Sequence, residues 1–279
     1  MTAMPRRSRS VEKGVRPLFL LLLAAALPAA AQTEFLRIEG ATFQSVLPVA
    51  KDSKDVTIPG FQLARTPVTN AEFLAFVKAH PQWQRGRAAK LFVDDGYLRH
   101  WAGPDRLGTA PAQPVVHVSW FAADAYCAAQ GARLPTWHEW EWAAAADERV
   151  ADARKDPVWR QRMLDWYAET GAALPRVGRG PANVHGVQDL HGLVWEWVED
   201  YGAMMVSGDN REQGADPDLM KFCGAGAMTM EQKENYAVMM RIAMLSSLKA
   251  AYTTANLGFR CAKDAEKGSD PFSRTRDAP

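Results

Sequence analysis

Pro114-Val115-Val116-His117-Val118-Ser119-Trp120 runs through Ala125-Tyr126-Cys127 to Arg133-Leu134-Pro135-Thr136-Trp137-His138-Glu139-Trp140-Glu141-Trp142. The first part is β-branched and extended in character, and residues 122–130 then switch to helical composition that stops at Gly131. A second helix follows Leu134-Pro135, with Thr136 as its cap and Glu139 three residues later, the spacing of a capping box. Two further aromatic blocks lie downstream, Asp189-Leu190-His191-Gly192-Leu193-Val194-Trp195-Glu196-Trp197 and Asn256-Leu257-Gly258-Phe259-Arg260-Cys261.

Upstream, Phe35-Leu36-Arg37-Ile38 and Val56-Thr57-Ile58, broken by Gly40, Pro48, Pro59 and Gly60, read as short strands and turns. An amphipathic helix carries Phe73, Leu74, Phe76 and Val77 behind a cap at Thr69 or Asn70. Residues 81–114 have no sustained periodicity and read as a long structured surface loop. Residues 147–182 are charged, contain Pro157, Pro175 and Pro181, and read as a variable helical insertion. The polar tail 264–279 is expected to be poorly ordered. There is no internal repeat.

The chain has 279 residues, 47% hydrophobic and 23% charged, a composition that excludes disorder, collagen and a disulfide-dense miniprotein. Residues 1–31 hold Arg6, Arg7, Arg9, Lys13 and Arg16 with one acid, Glu12, leaving 28 basic and 31 acidic residues on the remainder. A mildly acidic body without a basic run offers nothing to neutralise phosphates, so no nucleic-acid partner is expected. The same thirty-one residues continue into an apolar run from Leu18 to Leu27 and end in Ala29-Ala30-Ala31, the three regions of a secretory signal. Ten apolar residues at about 1.5 Å each reach about half the hydrocarbon core, too short for a permanent membrane anchor. Arg6-Arg7 suits twin-arginine export, but Ser8-Arg9-Ser10 follows where that signal has an apolar pair, so the export route stays open. The expectation is a cleaved signal peptide over 1–31, a domain over 32–263 and a periplasmic location, with the oligomeric state undetermined. Cys127, Cys223 and Cys261 permit one disulfide and leave one thiol in an oxidising compartment; sequence spacing does not choose the pair.

The three blocks quoted, with Thr66-Pro67-Val68-Thr69-Asn70-Ala71-Glu72-Phe73, resemble the formylglycine-generating enzyme, or sulfatase-modifying factor, family over about Phe35 to Lys263. The resemblance implies an α+β fold related to C-type lectin domains, loop-rich, with small twisted antiparallel sheets. It implies a disulfide between Cys127 and Cys261, with Cys223 left as the free thiol. Formylglycine-forming members bind copper through two thiolates, and the corresponding positions here are Ala237 and either Thr229 or Gln232, none of them cysteine. No copper is expected, because one thiol does not supply paired soft ligands.

The resemblance also implies a structural calcium ion held by the side chains of Asp189 and Glu196 and the carbonyls of Gly192 and Val194, hard oxygen donors within one loop. The family's other calcium site has no counterpart in 147–182. Histidine-based metal chemistry fares worse: a zinc-protease pattern starting at His138-Glu139 requires histidine where Trp142 stands, and a catalytic zinc site needs three protein ligands. His138-Glu139 therefore reads as a solvated helix face, and His185 and His191 as hydrogen-bonding loop residues. The related enzymes that form sulfur–carbon bonds on histidine derivatives draw iron ligands partly from an extra helical domain with no counterpart in this sequence.

Members that lack the cysteine pair include a pyoverdine-maturation branch, similar in size and export signal. The resemblance to that branch implies an oxidoreductase acting on a peptide-derived siderophore chromophore. Its groove would comprise Glu231, Tyr236 and Cys223 as catalytic candidates, with Trp195 and Gly226 as substrate-binding candidates. The alternative is a non-catalytic binding or assembly factor, comparable with members linked to denitrification genes. No Gly-x-Ser-x-Gly elbow or other hydrolytic motif appears. The partner expected in either case is a peptide or a peptide-derived small molecule.

Overall fold

The computed structural model describes residues 33–47, 55–168, 173–202 and 236–265. The chain divides into Met1–Ala30 and Ala31–Pro279, and the expected signal segment lies outside the described residues. Among the described residues no helix is long and apolar enough to cross a membrane.

In the second unit β1 (Phe35–Ile38), β4 (Phe61–Ala64) and β7 (Ala262–Asp264) form an antiparallel sheet in the order β1-β4-β7. Its register pairs Ile38 with Phe61 and Leu63 with Ala262, all four fully buried, so the period-two alternation of the strands sets which face meets the core. β7 ends at Asp264, one residue past the expected domain boundary. β2 (Ala41–Gln44) and β3 (Asp55–Ile58) make a second antiparallel pair. The third sheet departs from the expected pattern: β5 (Trp195–Glu196) runs parallel to β6 (Leu257–Gly258). A long connection through a helix separates the two in sequence, which is what parallel pairing requires. Glycine is required at 258 by the chain that passes at Val115, because a Cβ there would sit 2.6 Å from the Val115 carbonyl oxygen.

Three short helices carry the quoted motifs. α1 (Asn70–Ala79) is closed by a capping box in which Thr69 accepts from the Glu72 amide and the Glu72 carboxylate accepts from the Thr69 amide. α1 buries Phe73, Phe76 and Val77 at i, i+3 and i+4. α2 (Trp120–Ala129) starts at Ser119, whose hydroxyl accepts from Ala122, and buries Ala122, Ala123, Tyr126 and Cys127. α3 (Trp137–Ala144) has the capping box expected of Thr136 and Glu139. Such caps stabilise a helix by about 1 kcal/mol each, enough to matter in helices of eight to ten residues. α4 (Pro157–Ala168) is the helix expected in the insertion, and α5 (Tyr236–Ser246) follows later.

The segment 81–114 is not confined to the surface as its composition suggested. Tyr97, Leu98 and Trp101 are core residues, and the Trp101 indole donates to buried Asn70 Oδ1 at 2.9 Å. Anchors buried one at a time leave no periodic signal. The core centres on Phe73, stacked on Tyr126 at 5.8 Å and meeting Phe259 and Trp101 edge-on at 6.0 and 6.2 Å.

Candidate functional site

The block ending Gly258-Phe259-Arg260-Cys261 supplies three anchors. Cys261 is disulfide-bonded to Cys127 on α2, with their Cα atoms 5.5 Å apart, and Phe259 enters the aromatic core. Arg260 lies between them, with no exposed surface, and gathers three separate chain segments. Its Nη1 donates to the carbonyls of Ala64 and Arg65 at 3.2 Å, and Nη2 donates to the Gln188 carbonyl at 2.9 Å. Nε donates to Glu196 Oε2 at 2.9 Å and Nη2 to Glu196 Oε1 at 2.8 Å, a bidentate pair in which neither side chain is exposed.

Glu196 is held from the other side by the Trp140 indole, which donates to Oε2 at 2.9 Å. Arg241 of α5 donates to the Glu196 backbone carbonyl at 2.5 Å and lies over the Trp140 ring, its guanidinium carbon 3.6 Å from the centroid. These contacts tie α5 to β5. The helix that begins at Tyr236 is thus fixed against the strand that carries half-buried Trp195. Cys223, Gly226 and Glu231 lie outside the described residues.

The start of the same loop has a different environment. Asp189 adopts a positive φ of 58°, and its carboxylate accepts from the amides of Gly178 at 2.5 Å and Gly180 at 3.4 Å. His191 bonds the Ala144 carbonyl through Nε2 at 2.8 Å and lies between Trp159, Trp140 and Trp166, with ring centroids 5.6 to 6.4 Å away. Burial drives the imidazole pKa down to about 4, so the ring is neutral at pH 7. Gly192 has φ of 80°, and a Cβ there would meet the Trp166 ring at 3.0 Å, so α4 covers this loop only because residue 192 is glycine.

Of the expected calcium set Asp189, Gly192, Val194 and Glu196, both carboxylates are engaged by donors of the protein itself. Glu196 has both oxygens on Arg260 and Trp140, and Asp189 has its own on two backbone amides. A cation at Glu196 would also face the Arg260 guanidinium at contact distance. Among the described residues no group of three or more His, Cys, Asp and Glu side chains is placed to hold a metal ion.

The expectation of a solvated His138-Glu139 helix face is corrected by burial. Glu139 is not on a solvated helix face: it is 4% exposed, accepts from the Thr136 amide and makes two 2.7 Å bonds with Arg133. His138 bonds the Leu47 carbonyl at 3.1 Å. Arg260, Trp140 and Arg241 are the members of the centre that the sequence reading left without a role. Their signal was present as a lone arginine between Phe259 and Cys261 and another inside the apolar run Val238–Leu245, since a charge flanked by core residues needs a buried partner.

The family model of the sulfatase-modifying factor enzyme 1-like domain matches residues 23–265. The formylglycine-generating enzyme of Streptomyces coelicolor is 30% identical over 255 residues, covering 76% of this chain and 80% of that one. The hercynine oxygenase of Mycobacterium tuberculosis is 35% identical over 162 residues, 51% of this chain; the chain spans only 38% of that relative's length. The solved structure of PvdO from Pseudomonas aeruginosa superposes with a TM-score of 0.46 at 20% identity, covering 84% of this chain and 95% of that one. With the match extending through every motif that builds the Arg260 centre, the chain belongs to the sulfatase-modifying factor enzyme 1-like domain family.

Proposed function

We propose that this protein is an exported maturation factor that oxidises a peptide-derived aromatic substrate, of the dihydropyoverdine type, without a copper–dithiolate centre. The observation that carries the reading is the thiol count. Cys127 and Cys261 are joined to each other, and Cys223 is the one cysteine left in the sequence. The family scaffold is kept, yet a site needing two thiolates has no residues to form it. Relatives bearing the names formylglycine-generating enzyme and hercynine oxygenase support an oxidative role. The candidate site residues are Trp195, in β5, and Tyr236, at the start of α5, with Cys223, Gly226 and Glu231 between them in sequence. Converting a dihydro-chromophore to the aromatic form removes two electrons and two protons, with dioxygen as acceptor and hydrogen peroxide as the reduced product.

Deleting the gene tests this directly. The expected outcome is a reduced, peptide-derived product accumulating in the periplasm while sulfatase activity is unchanged. Loss of sulfatase activation would overturn it. A normal product profile, with loss of a periplasmic reductase instead, would replace it with the assembly-factor reading.

A further inference from the structure

The insertion builds a feature that the groove reading does not use. A cavity of about 350 Å³ lies beneath α4, in the range of small-molecule sites. Trp159, Met163 and Trp166 give it an apolar aromatic wall, and Arg162, Arg176 and Arg179 line its polar side. Trp159 and Met163 are buried in a small cluster separate from the main core, with Trp166 packed against them.

The charges around this cavity are unevenly satisfied. The Asp189 carboxylate is held by the amides of Gly178 and Gly180, and that of Asp147 by the amides of Arg149 and Val150 at 2.7 Å. Glu148 is paired with Arg162 at 2.8 Å. Every acidic group of the lining therefore has a partner. Among the described residues, Arg176 and Arg179 have no ion-pair partner, and the buried Nε of Arg162 has no hydrogen-bond acceptor. Arg162 also has its guanidinium carbon 5.6 Å from the Trp166 ring centroid, so donors and an aromatic surface meet at one wall.

We infer that this cavity is a binding site for a small planar aromatic anion, such as a benzoate-type carboxylate. The ring would lie against Trp159, Met163 and Trp166, and the carboxylate would accept from the exposed guanidinium groups of Arg176 and Arg179. A neutral ligand of the same shape would leave those donors unmatched, and a cation would meet surplus positive charge. The inference is independent of the proposed oxidation, since it uses none of the groove residues.

Anthranilate and its uncharged analogue 2-aminobenzamide are suitable probes for titration calorimetry on the mature protein. The expected result is saturable 1:1 binding of anthranilate, at least about tenfold tighter than the amide, a ratio that corresponds to about 1.4 kcal/mol. Arg176→Gln/Arg179→Gln alters only exposed side chains, so circular dichroism should be unchanged while the preference falls to within about twofold. Absence of saturable anthranilate binding, equal affinity for both probes, or a preference untouched by the double substitution would overturn the inference.

Discussion

Two ends of one nine-residue loop treat charge in opposite ways. At Glu196 a carboxylate and a guanidinium are both removed from water and matched to each other, to indole and to backbone carbonyls. At His191-Gly192-Leu193 the chain borders a cavity whose acids are satisfied and whose lining carries two exposed arginines that have no ion partner among the described residues. The first arrangement is architectural, because breaking a buried pair strands a charge. The second has the unbalanced polarity of a surface that recognises a ligand. The carboxylates at the two ends each have their own set of donors.

The comparison can be strained from the architectural side first. Replacing Cys127 and Cys261 with serine opens a cross-link spanning 134 residues and should cost about 4 to 5 kcal/mol in the chain-entropy model, read as a lower urea midpoint. Glu196→Ala should cost about 3 to 5 kcal/mol, because Arg260 would remain buried and unpaired. An effect below about 1 kcal/mol in that variant would show that water reaches the pair.

Acid acts on the other end of the loop. His191 has its pKa lowered to about 4 in the folded state against about 6.5 unfolded, so the unfolded chain takes up the proton first. Stability is then full above about pH 6.5 and falls as pH drops towards 4, by about 3 kcal/mol from this group. His100, lowered to about 4 by burial and its neighbour His117, adds loss in the same direction. His191→Gln should flatten part of the slope between pH 6.5 and 4; an unchanged slope would mean that His191 is hydrated. Gly192→Ala should cost about 1 to 3 kcal/mol, from its positive φ and the 3.0 Å approach to Trp166. Calcium gives the smallest effect: millimolar calcium against chelator should leave the melting temperature within about 1 °C, whereas a native-state ligand at a hundredfold excess over Kd adds about 2.7 kcal/mol.

Much of this fold was legible because its signals are local. Thr69 and Thr136 cap the helices that their spacing to Glu72 and Glu139 serves, whereas the Ser119 cap of α2 was not read from the sequence. The partners of Glu196 were not legible from spacing, since Arg260, Trp140 and Arg241 come from three distant segments and meet only on folding. Likewise 81–114 shows no period, although Trp101 and Tyr97 fill core positions. The cavity under α4 escaped for a related reason. Trp159, Met163 and Trp166 recur at helical spacing in a charged segment, and that pattern alone does not distinguish a packed face from the wall of a site.

The central claim is that this scaffold performs oxidation without two free thiols, and it is tested most directly on the purified mature protein. Dihydropyoverdine-type substrate and dioxygen are mixed with and without protein, and formation of the aromatic chromophore is followed by absorbance. The account predicts chromophore formation faster than the uncatalysed rate, undiminished by a copper chelator. Equal rates with and without protein, or activity that copper chelation abolishes, would contradict it.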